Sequence, residues 1–286
     1  GVRLAAGSVT DLSGEAIINP RARIVFHGVS LPTRDGRMID GGALITMPGQ
    51  VTDDPVFNVP FGASPYASMK VLATQLSDTL TANPGAVIDI SGAVDSFERP
   101  VFGGFAPTPV WSNGGSLVLG AGGTIIGADI RADGGTDQAL GGTLVMLDPR
   151  LSQNSTNTSF NAVSAEMIEK AGFSTFEALG SITSIGDVDL KLDRAFILAS
   201  RPVIDIGTLN TQAGRDALAP VISSAGVMQI EAPYIRFDSG VQSVSTPLLG
   251  DPHKNTAIFK ADTIDISGAV VFDRSIDDVQ LIASGD

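Results

Sequence analysis

The chain has 286 residues, 43% hydrophobic and 17% charged, with 31 acidic against 18 basic residues and a formal net charge of −13. That length supports one large or two ordinary domains, and the composition excludes a disordered chain. Acidity with scattered Lys and Arg argues against a nucleic-acid groove or an electrostatic grip on an anionic membrane, and the absence of cysteine rules out disulfides and thiolate metal sites.

The 33 glycines, 16 prolines and six Gly-Gly pairs fall between short apolar runs, as in an all-β chain with many tight turns. No apolar stretch approaches the roughly 20 residues of a membrane-spanning helix. In chain order, the opening "GVRLAAGSV" has no signal-peptide pattern. It and the closing "LIASGD" look like cuts through strand-forming sequence, so a piece of a larger polypeptide is expected. "SPYASMKVLATQLSDTL" (Ser64–Leu80) is predicted helical, with Ser64 as cap, Pro65 in the first position, and Met69, Leu72, Leu76 and Leu80 on one face. "VIDISGAV" (Val87–Val94) is a predicted strand with Ile88 and Ile90 inward, Asp89 outward and Gly92 turning the chain at positive φ.

"FERPVFGGFAPTPVW" (Phe97–Trp111) is expected as a loop folded over the side of the domain. "GGSLVL" (Gly114–Leu119) and "GGTLVM" (Gly141–Met146) form a matched pair of strands. "QNSTNTSFN" (Gln153–Asn161) is a polar loop, and "SAEMIEKAG" a short helix capped by Ser164 and ended by Gly172. "FILASRPVIDIG" (Phe196–Gly207) aligns Ile204 with Ile235 of "MQIEAPYIRFDSG" (Met228–Gly240). That segment in turn aligns Ile235 and Phe237 with Ile264 and Ile266 of "AIFKADTIDISG" (Ala257–Gly268). The last phrase repeats "VIDISG": Ile264, Asp265, Ile266 and Gly268 are given the parts of Ile88, Asp89, Ile90 and Gly92.

A strand, a corner, a second strand and a Gly-rich turn recurring at roughly 30 residues is a solenoid signature. One turn of such a chain cannot bury its apolar side alone, but turns stacked about 4.8 Å apart can. The predicted fold is an all-β parallel β-helix (β-solenoid), a single segment over 1–286 with helical and loop insertions near 64–80, 97–111 and 152–173.

"NPGAVIDISGAV", "SNGGSLVLGAGGTIIGADIRADGGTDQALGGTLVML", "AGFSTFEALGSITSIGDVDLKL", "IEAPYIRFDSG" and "FKADTIDISGAV", in that order, resemble the filamentous haemagglutinin-like large exoproteins of Gram-negative bacteria. These are secreted by the two-partner route. The resemblance covers most of the chain and is looser over "GVRLAAGSVTDLSGEAIINPRARIVFHGVSLP". It implies a right-handed β-helix and an extracellular place at the bacterial outer surface, as a fibrous protein that is often an adhesin. It also implies an outer-membrane transporter as partner of the full-length protein. The family's N-terminal secretion domain is not recognisable in this chain.

Parallel β-helices also carry polysaccharide lyases and hydrolases, whose sites gather carboxylates with Ca²⁺ or a basic partner on one sheet face. The local acidic pairs are Asp53–Asp54 in a loop, Asp187 and Asp189 on one strand face, and Asp277–Asp278 near a turn. Adjacent strand residues face opposite ways, so an Asp-Asp pair makes no converging dyad, and outward acids on a solenoid usually only solvate it. His27 and His253, the two histidines, sit at a strand end and in a turn, and neither adjoins a nucleophile elbow. The Gly-rich "GAGGTIIG" and "DGGTDQALGG" precede no Gly-Lys-Ser/Thr and match no Ca²⁺-binding nonapeptide, leaving only a Ca²⁺ site from Asp133 and Asp137 to be tested. Asn154 and Asn157 begin Asn-x-Ser/Thr triplets in the polar loop. Trp111, Phe102 and Phe105 either stack on sugars or seal a loop.

No catalytic, cofactor-binding or metal residue is therefore assigned, and no cofactor. The chain is expected to be a non-enzymatic, structural and adhesive segment that binds host or neighbouring-cell glycans or proteins through its outward loops. Open first and last turns suggest end-to-end self-association. A polysaccharide-active enzyme and a passive stalk presenting a toxin or effector are the alternatives.

Overall fold

A computed structural model of the chain describes residues 2–26, 29–45, 80–120, 123–154, 160–200, 219–239, 244 and 254–285. Strand is the dominant state and nearly all of the sheet pairing is parallel, which bears out the all-β reading. The first circuit of the chain runs β1 (Val2–Leu4) and β2 (Val9–Asp11). It then leaves the stack as β3 (Glu15–Asn19), β4 (Arg23–Phe26), β5 (Val29–Pro32) and β6 (Asp35–Ile39), and returns as β7 (Ala43–Ile45). The second has β8 (Leu80–Ala82), β9 (Val87–Asp89), the excursion β10 (Val94–Val101) and β11 (Gly104–Trp111), then β12 (Ser116–Leu119). The third passes a parallel bridge at Thr124, then β13 (Asp129–Arg131) and β14 (Gly142–Leu147). The fourth has β15 (Arg150–Ser152), β16 (Ala162–Ser164), α1 (Ala165–Lys170) and β17 (Phe173–Leu179). Then come β18 (Ser181–Ser184), β19 (Val188–Lys191) and β20 (Ala195–Ala199), and β21 (Val221–Ser224), β22 (Val227–Glu231) and β23 (Tyr234–Asp238). The last strands are β24 (Asn255–Ala261), β25 (Thr263–Ser267), β26 (Val271–Phe272) and β27 (Ile276–Ala283).

The parallel strands of the stack fall into three groups. The first comprises a two-stranded sheet of β1 and β8 and a five-stranded sheet of β16, β15, β18, β21 and β26; the second comprises a three-stranded sheet of β2, β9 and β13 and a four-stranded sheet of β19, β22, β24 and β27. The third is continuous over seven strands: β7, β12, β14, β17, β20, β23 and β25. In-register parallel pairing sets like side chain over like. One inward column of the third sheet is Leu117, Leu144, Phe176, Phe196, Ile235 and Ile264; the next is Leu119, Met146, Ala178, Leu198, Phe237 and Ile266. All but the two β25 isoleucines are buried. Leu190, Ile230 and Phe259 form a column of the second sheet, and Phe259 meets Phe237 of the third edge-on at 5.1 Å. The third sheet is also buried on its outward side at Val118, Val145, Leu179 and Ile197, so its strands are near-continuous apolar runs.

Several expectations hold at residue level. Gly114/Gly141 segments pair as β12 on β14, and Ile235 and Phe237 lie opposite Ile264 and Ile266. Ile88 and Ile90 are fully buried. Ser164 caps α1, accepting the Met167 amide at 3.2 Å, and Gly172 follows it at φ +79°.

Others are corrected. The two copies of the repeated phrase are not equivalent positions: Val87–Asp89 belongs to the second sheet and Thr263–Ser267 to the third. The in-register counterpart of "VIDISG" is "VTDLSG" (Val9–Gly14), with Val9, Thr10 and Asp11 opposite Val87, Ile88 and Asp89. Ile266 is 52% exposed, because β25 is an edge strand with a neighbour on one side only. The strand beside Ile235 is β20, with Phe196 opposite it; Ile204 lies outside the described residues. Phe97–Trp111 is most of an antiparallel hairpin rather than a loop, since Phe102-Gly103 makes a two-residue turn with Gly103 at φ +93°. Gly92 is not at positive φ; a Cβ there would collide with the Ser112 carbonyl oxygen and the Gly135 amide, so close approach of circuits demands glycine. Asp277 and Asp278 lie within β27, just past the turn at Arg274 and Ser275 as expected. Leu80 opens β8, while 64–79 lies outside the described residues. No helix among the described residues is long and apolar enough to cross a membrane.

The short helix does not decorate the stack: it takes a strand's place in the second sheet. Ala165, Ile168 and Ala171, spaced for one helical face, enter the core. On its far side the amides of Asp189 and Lys191 in β19 find side chains instead of a strand, donating to Gln153 Oε1 and Glu169 Oε1, each at 2.8 Å. The column geometry fixes an energetic contrast. Ile90→Ala is expected to cost about 2–5 kcal/mol, and Ile266→Ala about 1 kcal/mol or less, in denaturant unfolding.

Candidate functional site

Among the described residues the chain makes two antiparallel excursions at the corner between the second and third sheets, and these carry several exposed apolar side chains. Turn chemistry positions them. At the end of β2, the Ser13 amide and hydroxyl donate to Asp11 Oδ1 at 3.0 and 2.7 Å, holding the Asp11 carboxyl below its usual range. Ser91 repeats this on Asp89, one circuit on, at 3.0 and 2.6 Å. Beyond these turns the first circuit sends out β3 paired with β6, carrying β4 paired with β5; the second sends out β10 paired with β11. A polar ladder ties their bases: Asn113 N donates to Asp40 Oδ1 at 2.8 Å, and Asn113 Oδ1 accepts the Leu140 amide at 2.9 Å.

The two arms are locked together. Arg34 Nη2 donates to Asp95 Oδ1 at 2.6 Å, the Arg34 amide donates to Glu98 Oε2 at 2.9 Å, and Phe97 is buried against Gly36. Facing out are Ile17, Ile18, Ile39, Val94, Val101 and Phe102, the last fully exposed at the hairpin tip. Exposed Arg37 stands opposite Ile17 and exposed Arg99 two residues before Val101, and Arg21 and Arg23 on the same arm are exposed as well, in a chain of net charge −13. A shallow cavity of about 420 Å³ opens beside Ile17, Pro20 and Arg37. Apolar groups mixed with Arg are the composition of a protein interface. Trp111 opposes Val94 at the hairpin base while Phe102 and Phe105 lie at its tip, so the three aromatics form no joint sugar-stacking patch.

A second polar cluster lies elsewhere, on the outward side of the third sheet at β23 and β25. Arg236 Nη2 is 3.5 Å from Asp238 Oδ2 and Arg236 Nε 3.8 Å from Asp265 Oδ2. Tyr234 Oη donates to Asp265 Oδ2 at 3.1 Å; burial first, then Asp265, pushes the Tyr234 phenol above its usual range. Tyr234 thus stays a proton donor at neutral pH, between two carboxylates and a guanidinium. Glu177 lies fully buried on the same side of the sheet, two strands away. Spacing along single strands had no means of uniting Tyr234, Arg236, Asp238 and Asp265, because the cluster forms across strands.

The acids weighed from sequence do not converge. Asp187 Oδ1 accepts the Val227 amide at 2.8 Å and Asp189 Oδ1 the Gln229 side chain at 3.0 Å, so both serve the next circuit. Among the described residues no group of three or more His, Asp or Glu side chains is placed to hold a metal. His27, His253, Asp53, Asp54 and Asn157 lie outside the described residues, and the Asn154 carbonyl accepts the Ser152 hydroxyl at 2.8 Å. No protein-family model, curated protein or solved structure matches this chain.

Asp133 lies against Gly172, which follows α1 in the next circuit, and its carboxyl is raised above the usual range by burial and by the charge of Asp89. A carboxyl raised on folding holds its proton more tightly folded than unfolded, so its contribution to stability is lost as pH rises through the carboxylate range. Asp133→Asn is therefore expected to gain thermal stability relative to the native chain on going from pH 4 to pH 7, read as the difference in Tm between the two at each pH.

Proposed function

We propose that the chain is a segment of a right-handed parallel β-helix in a secreted bacterial surface exoprotein of filamentous haemagglutinin type, and that its side arms carry partner binding. The observation that supports this most directly is the parallel, in-register pairing of strands far apart in sequence, with apolar side chains superposed along the seven-strand sheet. Such a stack lengthens by about 4.8 Å per circuit without new topology. Length is its mechanism: the arms are held away from the cell, and modest affinities multiply when segments repeat. The locked hairpins, with Phe102 and Arg99 at one tip and Ile17, Ile18 and Arg37 on the other, are the surface on which surface glycans or proteins of a host or neighbouring cell dock. The full-length protein would reach that surface through an outer-membrane transporter. The test is a panel of glycans and matrix proteins presented to the immobilised chain. Binding is expected to fall at least tenfold in Phe102→Ala combined with Arg99→Ala, with Tm unchanged. Absence of any binder would favour a passive stalk.

The Tyr234, Arg236, Asp238 and Asp265 cluster favours a second reading, a polysaccharide-active β-helix, since acid, base and cation there share one sheet face. On that reading Asp265→Asn lowers sugar release from pectin or alginate at least a hundredfold. A native chain that releases none removes it.

A further inference from the structure

Charge sets the two arms apart from the rest of the chain. Residues 15–39 and 94–111 hold five arginines against four acidic residues, whereas the remainder holds 27 acidic against 13 basic residues. Arg34 is taken up by Asp95, which leaves Arg21, Arg23, Arg37 and Arg99 exposed. On the outer face of the first arm, Ile17 pairs with Arg37 and Glu15 with Ile39, all four exposed, and the shallow cavity of about 420 Å³ opens beside them. The opposite character appears at the corner between the first and second groups. There the bends at Ile185–Asp187, between β18 and β19, and at Ala225–Val227, between β21 and β22, lie one on the other. Asp187 Oδ1 accepts the Val227 amide at 2.8 Å, and Gly186 turns the chain at φ +77° with open space around it. Ile185 is 37% and Val227 43% exposed on this ridge, and the carboxylates of Asp187, Asp189 and Glu231 beside them are exposed too.

We propose that the outer face of the first arm docks on the Ile185–Val227 ridge of a second copy of this chain, side by side; this rests on the reading of the arms as the partner-binding surface. Charge selects the pairing. Arm on arm sets Arg against Arg and ridge on ridge sets Asp against Asp, whereas arm on ridge brings Arg37 and its neighbours to Asp187, Asp189 and Glu231. Ile185 and Val227 supply the apolar centre, entering the cavity beside Ile17 and Pro20 while the ion pairs close around it. Within one chain the two surfaces stand apart. The arms leave at the corner between the second and third groups, and the ridge lies at the other end of the second-group strands, beyond α1. Each copy thus offers one arm face and one ridge, and because the contact is heterologous it adds copies in a staggered row rather than closing a dimer.

The 286-residue chain is followed by light scattering and sedimentation over a range of concentrations, in low and high salt, beside Arg37→Glu and Ile185→Arg, with circular dichroism to verify folding. The first variant reverses the arm and leaves the ridge intact; the second blocks the ridge, leaves its carboxylates in place and keeps the arm. The native chain is expected to gain mass with concentration and to lose that gain in high salt, where exposed ion pairs are screened. Each variant alone is expected to associate at least tenfold more weakly, while the two mixed form a one-junction dimer through the arm of Ile185→Arg and the ridge of Arg37→Glu. A native chain that stays monomeric, association that survives in either variant, or a mixture that fails to pair overturns the contact. The glycan and matrix-protein panel separates this from the parent reading. A monomeric chain whose arms bind a member of the panel removes the second copy as occupant and keeps the surface; a monomeric chain that binds none removes both.

Discussion

Backbone pairing between circuits is the constraint on which everything else hangs. An inner strand of the seven-strand sheet satisfies its amides and carbonyls through parallel neighbours distant in sequence, so each residue is answered by one at the same register in the next strand. Superposition then dictates composition. Columns must be filled by side chains that tolerate their own kind at about 4.8 Å, which Leu, Ile and Phe do along Leu117, Leu144, Phe176, Phe196 and Ile235. Ala178 sits between Met146 and Leu198 in the neighbouring column, a small residue among large ones beside the ring of Phe176. Corners obey the same rule more severely, since at Gly92 and Gly41 backbones of adjacent circuits approach so closely that no Cβ fits.

That constraint also decides where variation is tolerated. A residue added inside a strand would shift every column beyond it, whereas a hairpin added at a corner shifts none. Both arms leave at the corner between the second and third sheets, after turns built by Asp11 with Ser13 and Asp89 with Ser91. The arms are also the place where polarity departs from the rest of the chain, with exposed arginines beside exposed Ile, Val and Phe. The regular part supplies position; the irregular part supplies surface chemistry.

The legible part of this fold was its period and its alternation. Ile88, Ile90, Ile235 and Phe237 could be set inward from the sequence because a half-buried strand has a two-residue period. Short capping signals were equally readable, as at Ser164. Register over distance was not. "TIDISGAV" is the better literal match to "VIDISGAV", yet "VTDLSG" is its neighbour in space, because hydrogen bonding selects apolar size and turn residues rather than letters. Prolines misled over the second arm: Pro107 and Pro109 suggest loop, but their missing amides are harmless on an outer strand paired on one side. The polar cluster of Tyr234, Arg236 and Asp265 was invisible for a related reason, since its members lie on two strands and meet only after pairing.

The helix inside the fourth circuit divides the second sheet into two hydrogen-bonded blocks, β2 to β13 and β19 to β27, while the third sheet runs through without a break. Across the division the only listeners for the Asp189 and Lys191 amides are the side chains of Gln153 and Glu169. Load carried along the stack must therefore pass through a continuous ladder on one side and through rotatable side chains on the other. At the helix, then, the second group is joined through side chains that can rotate, whereas the seven-strand sheet is joined throughout by fixed backbone hydrogen bonds.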